Sequence, residues 1–139
     1  MDTIETESAA VEDSGPRRLK VRIATAGIEF PGDEPVAAGG TGTGPGPYDL
    51  LSAALAECTT LTLRLYADQK GWPLAGIRVA VSHARVAGET PPDQFTRVIR
   101  LTGPLDEAQT TRLLQIAERC PVHRTLTTGA RITTTADGG

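Results

Sequence analysis

The residues with the most chemistry to offer are Cys58 and Cys120, the two cysteines of the chain. Taken alone, Cys58 reads best as a small buried apolar side chain, because free cysteine packs like one on an apolar helix face. Cys120 stands in a different setting. It lies in Cys120-Pro-Val-His-Arg124, with Arg119 before it and His123 and Arg124 after it. Cationic neighbours, and the N-terminus of a turn opened by Pro121, lower a thiol pKa and favour the thiolate. A plain helix stop with solvated arginines explains the same residues. Spacing alone leaves the two readings level.

Other chemistries are weaker. Cys120-x-x-His123 has the spacing of half a zinc site, but a closed site needs four ligands. The chain offers Cys58, Cys120, His83 and His123, with no second paired half-site. No metal or other cofactor is expected. Gly39-Gly-Thr-Gly-Thr-Gly44 lacks the Lys-Ser/Thr ending of a phosphate loop and does not match the dinucleotide fingerprint. No Gly-x-Ser-x-Gly elbow is present for a serine nucleophile. Trp72-Pro-Leu74 reads as packing at a helix end.

The elements that must carry the cysteines follow from periodicity. Pro47 suits the first position of a helix, and Asp49 sets a negative charge against its N-terminal dipole. Leu51, Ala54, Leu55, Cys58, Leu61, Thr62 and Leu65 recur at spacings of three and four, one helix face. Lys70 and Gly71 end it. Leu50, Ala53, Ala56 and Leu63 make this helix, about 47–70, apolar nearly all round, so it needs cover on several sides. One small subunit can hardly supply it. Asp106 and Gln109 form a capping-box pattern for a second helix. Pro121 stops that helix at Cys120 and opens a short turn closed by Gly129.

Strands are expected at Leu19–Ile23, then at 28–30 across an Ala26-Gly27 turn, and over 77–81 paired with 95–101. Ala130–Thr135 reads as a last strand. Residues 31–47 hold ten Gly or Pro in seventeen and must be a loop. Strands and helices without regular alternation indicate an α+β domain.

At 139 residues the chain fits one domain. Residues 1–14 carry five acids and no Lys or Arg, whereas the rest holds 14 bases against 12 acids. The acidic stretch buries too little to order itself. Residues 1–16 are therefore expected to be a disordered tail, and 17–137 the domain. No export signal and no apolar run of membrane-spanning length are visible. Charge and aromatics are too sparse for nucleic-acid binding. Two cysteines in such a chain point to the reducing cytoplasm, where paired thiols are more often catalytic or sensing than structural.

Gly44-Pro-Gly-Pro-Tyr-Asp-Leu-Leu51, Ala53-Ala-Leu-Ala-Glu-Cys58-Thr and Ala117-Glu-Arg-Cys-Pro-Val-His-Arg-Thr-Leu126 resemble the two cysteine motifs of the OsmC/Ohr family of thiol-dependent peroxidases. Asp33-Glu-Pro35 with the glycine loop, and the stretch 66–74, are similar to its OsmC-like branch. The resemblance covers roughly residues 17–136. It implies an intertwined homodimer with antiparallel sheets wrapped around long central helices and sites at the subunit interface.

It also implies roles. Cys58 would attack a hydroperoxide, organic ones especially, and become a sulfenic acid. Cys120 would resolve it to a disulfide, and a dithiol, such as a lipoylated protein, would reset the pair. The family's acid near the helix start maps to Asp49. The neighbouring Glu57 lies about 100° around the helix from the cysteine. Members of known peroxidase activity bring an arginine to the thiol from before the long helix, yet residues 25–49 contain no Lys, Arg or His. Arg124 is the expected substitute, with His123 and Arg22 as others. The alternative is a dimeric ligand-binding or redox-sensing protein without turnover.

Overall fold

The computed structural model describes residues 6–12 and 19–138. It is an α+β chain that divides into two compact units, Met1–Leu51 and Ser52–Gly139.

The first unit is a three-stranded antiparallel sheet, β1 (Ser8–Glu12), β2 (Val21–Thr25) and β3 (Ile28–Gly32), in the order β1-β2-β3. The β2–β3 turn is Ala26-Gly27, as expected, and both residues have positive φ (50° and 79°). That geometry suits the right-handed twist of a two-residue hairpin. β1 corrects the reading of the acidic leader. Residues 8–12 pair with β2 from Ser8↔Thr25 to Glu12↔Val21. Their side chains are all exposed, so main-chain pairing rather than burial orders them. Edge pairing escapes an argument based on hydrophobic content. The rest of the expected tail, 1–5 and 13–16, lies outside the described residues.

After β3 the chain enters the glycine-rich loop, with one 3-10 turn at Val36–Ala38. Asp33 organises it. Its buried carboxylate accepts from the N–H of Glu34, Thr41 and Thr43 and from both threonine hydroxyls. A side chain at Gly40 would lie 2.0 Å from the Glu34 carbonyl oxygen, and one at Gly44 2.2 Å from that of Pro31. These two glycines are therefore required by close backbone approach.

Helix α1 spans Pro47–Lys70, as the spacing predicts. Its end is a Schellman motif: Trp72 N–H donates to the Ala67 carbonyl and Gly71 N–H, at φ 67°, to that of Asp68. The second unit adds a two-stranded antiparallel sheet, β4 (Gly76–Arg85) and β5 (Asp93–Thr102). Helices α2 (Glu107–Ala117) and α3 (Pro121–Thr128) follow. α2 opens with the expected capping box of Asp106 and Gln109.

The core of this unit is Leu63, Ala67, Leu74, Leu113, Ile116 and Ala117, with Trp72, Ile77, Ile99 and Leu101 packed on it. Trp72 meets Tyr66 edge-on at 5.5 Å. The buried stripe of α1 is Ser52, Leu55, Thr59, Leu63 and Ala67. It is rotated from the expected one, and Leu61 and Leu65 are 57% and 63% exposed. Since α1 is apolar nearly all round, its pattern alone does not say which stripe the chain itself covers. The expected last strand is absent: residues 129–138 have no regular secondary structure, and Ile132 is exposed. Its β-branched residues suit a pleated strand, but such preference acts only where a partner strand supplies pairing and packing.

Candidate active site

α1 and the α2–α3 junction bring the two cysteines together within the second unit. Cys58 lies on α1 and is partly exposed; Cys120 is fully buried at the N-cap of α3. Pro121, at the first position of α3, cannot continue α2 and starts the new helix directly at the cysteine. Both thiols are free.

The sulfurs face each other closely enough that each sets the other's ionisation. Burial pushes the Cys58 thiol up, and its role as proton donor to Cys120 pushes it further. The N–H of Val122 and the Thr62 hydroxyl act in the opposite sense, and less strongly. Burial also pushes Cys120 up. There it is outweighed by Cys58, the N–H of His123, the Thr59 hydroxyl and the N–H of Val122, leaving Cys120 below the usual thiol range. The N–H groups of Val122 and His123 belong to the first turn of α3, where the helix dipole favours an anion. They face the sulfur without closing a formed cap hydrogen bond. Of the two thiols, the buried one is therefore the more readily ionised, and the partly exposed one the better held as a thiol.

Beside the thiols is a polar network that the sequence reading misses. Arg97, on β5, has a side chain only 12% exposed. It donates to Thr59 Oγ1 at 3.0 Å and to His123 Nδ1 at 3.1 Å. Glu118 Oε2 lies 3.6 Å from Arg97 and 3.0 Å from His123 Nε2. A guanidinium only donates, so Nδ1 accepts and the ring hydrogen sits on Nε2, directed at Glu118. Both nitrogens of His123 are thereby engaged by protein groups. A signal for Arg97 existed in the strand pattern. Phe95, Ile99 and Leu101 point inward, and position 97 shares their side of the strand.

The other expected residues have contacts of their own. Asp49 Oδ2 accepts from the Gly46 N–H at 2.9 Å, closing the first turn of α1. Arg124 is exposed on α3, and its carbonyl accepts from the Thr127 and Thr128 hydroxyls. Arg22 is exposed on β2. His83 pairs with Asp93 across β4 and β5 at 3.0 Å. In the glycine-rich loop the N–H groups of Thr41 and Thr43 are engaged by Asp33.

Comparison with known proteins agrees with the sequence motifs. A family model described as OsmC-like protein matches residues 40–135. No curated protein matches the chain. Among solved structures it is similar to the OsmC-like protein of Mycoplasma pneumoniae, with TM-score 0.75, 22% identity and 91% and 89% of the two chains covered. An organic hydroperoxide resistance protein OsmC from Legionella pneumophila gives 0.71, 21% identity and 91% of each chain. An organic hydroperoxide resistance protein from Elizabethkingia anophelis gives 0.67, 19% identity, and 90% and 91%. At these identities the structures speak for the fold. The family match spans well over half of the 139 residues, and the chain belongs to the OsmC-like family.

Proposed function

We propose that this protein reduces hydroperoxides, organic ones in particular, through Cys58 and Cys120, in defence against oxidative stress. The observation that carries the reading is the facing pair of free thiols, one partly exposed and one buried. A peroxide reaches the exposed member first. The Cys58 sulfur attacks the outer peroxide oxygen and the O–O bond breaks. The departing alkoxide takes a proton from solvent and leaves as the alcohol, and Cys58 becomes a sulfenic acid. While Cys120 is a thiolate, it is the base that draws the Cys58 proton. Its sulfur then attacks Cys58, the S–O bond breaks, water leaves and a disulfide forms. A dithiol, such as a lipoylated protein, returns two electrons and two protons. An adjacent resolving thiol intercepts the sulfenic acid before irreversible oxidation. In this reading Asp49 is a helix cap and Arg124 is dispensable.

The reading includes a homodimer. Leu61 and Leu65 on α1 are exposed, and a second copy is the cover that an all-round apolar helix calls for. The reduced thiols of a cysteine-poor chain support work in the cytoplasm. Among the described residues no helix is long and apolar enough to cross a membrane.

One observation favours a second reading, a redox-sensing or ligand-binding dimer without turnover. Burial pushes the Cys58 thiol up, and residues 25–49 supply no cation to offset it. The two separate on treatment with stoichiometric cumene hydroperoxide followed by a dithiol. Rapid intramolecular disulfide formation with repeated cycling supports the peroxidase; oxidation without cycling supports the sensor.

A further inference from the structure

We infer that Arg97 is a positioning residue for the Cys120 thiolate and acts through the hydroxyl of Thr59. The inference rests on the thiol chemistry proposed above and concerns the buried resolving thiol, Cys120, rather than Cys58. Thr59 is fully buried and has one hydroxyl proton. That proton is donated to the Leu55 carbonyl at 2.7 Å. Arg97 donates to the same oxygen at 3.0 Å, while the hydroxyl also faces the Cys120 sulfur.

These contacts leave the hydroxyl two acceptors, Leu55 O and the sulfur. The guanidinium occupies a lone pair on the oxygen, which discourages it from accepting the Cys120 proton. The same contact polarises the O–H bond and makes it a stronger donor. When Cys120 ionises, a turn about the Thr59 side chain moves the proton from the carbonyl to the thiolate. The cation is felt at the sulfur through one oxygen, without touching it. His123 and Glu118 hold the guanidinium in place, through Nδ1 and Oε2. These contacts place around Cys120 the thiol of Cys58 from α1 and, one residue further out, Arg97 from β5, Glu118 from the end of α2 and His123 from α3; Arg119 and Arg124, its neighbours along the chain, are exposed.

The test is titration of the full-length protein by thiolate ultraviolet absorbance, in wild type, Arg97→Met, Arg97→Lys, Thr59→Val, Thr59→Ser and the Arg97→Met/Thr59→Val double variant. The acid-side thiolate step should move up by about one pH unit, a tenfold change in the ionisation equilibrium, in both Arg97→Met and Thr59→Val. The double variant should move no further than the larger single one. Thr59→Ser, which keeps the hydroxyl, should stay near wild type, and Arg97→Lys should recover part of the shift. A merely structural Arg97 would lower the melting temperature and leave the titration unmoved. An unchanged acid-side step in Thr59→Val, or additive shifts in the double variant, overturns the relay. If Arg97→Met does not fold, Thr59→Val and Arg97→Lys decide the question. Peroxide turnover is measured alongside: shifted titration without turnover in any protein removes the peroxidase and keeps the relay, and turnover with unmoved titration does the reverse.

Discussion

Cys120 has none of its surface exposed, and the sulfur it faces belongs to Cys58, a partly exposed residue of the long helix. Burial alone would raise both thiols. The first turn of α3, Thr59 and Cys58 reverse the direction at Cys120 only. Access and acidity are thus divided: the reachable sulfur holds its proton more tightly, and the unreachable one gives it up more readily.

That division predicts how the variants titrate. Wild type should lose its thiol protons in two separated steps, as interacting sites do. Cys120→Ala removes two of the influences that raise Cys58, so Cys58 should ionise at lower pH than in wild type, in a single step. Under cumene hydroperoxide this variant should accumulate sulfenic and then sulfinic acid at Cys58. Cys58→Ala should leave Cys120 largely unoxidised, because it is buried. Mass spectrometry finding Cys120 oxidised first would reverse the roles.

Asp33 predicts a pH signature in the glycine-rich loop. Hydrogen bonds, led by the Thr41 hydroxyl, hold its carboxyl well below the usual carboxylate range. A depressed folded-state value contributes stability above the unfolded value, about 3.9, and loses it as pH falls further. Asp33→Asn should melt several degrees lower than wild type at neutral pH. The gap should narrow below about pH 4. A constant gap from pH 7 to pH 3 in calorimetry would contradict the assignment.

Leu63 is fully buried at the centre of the second unit's core. Leu63→Ala should cost about 3–4 kcal/mol, the transfer loss plus the cavity left behind. Urea denaturation at fixed protein concentration measures it. A loss below about 1 kcal/mol would show that this side chain is not in a close-packed core.

Leu61 and Leu65 predict assembly. Replacing both with Lys puts charge on the exposed stripe of α1 and should convert a dimer to a monomer, or prevent folding. Light scattering of the wild type at low micromolar concentration should give twice the chain mass. A folded wild-type monomer would leave that stripe without the proposed cover.

Much of this organisation was legible in the residues, and the misses share a cause. Local signals placed α1 by Pro47 and Gly71, the capping box at Asp106 and the break at Cys120-Pro121. Each is decided within a few neighbouring residues. β1 and the segment 130–135 went wrong in opposite directions, because a strand exists only where another strand pairs with it. Sequence proximity to Cys120 points to Arg124 as the cation. The arginine in the network comes from position 97, brought in by the β4–β5 pairing. Its inward parity was visible; its contact with Thr59 was not.

The most direct test is steady-state consumption of cumene hydroperoxide by wild-type protein with a dihydrolipoyl dithiol as reductant. The proposed chemistry predicts many turnovers per chain, abolished in Cys58→Ala and sharply reduced in Cys120→Ala, with the Cys58–Cys120 disulfide appearing when the dithiol is omitted. Wild-type protein that stays in the dithiol form and consumes no peroxide beyond the uncatalysed rate would contradict it.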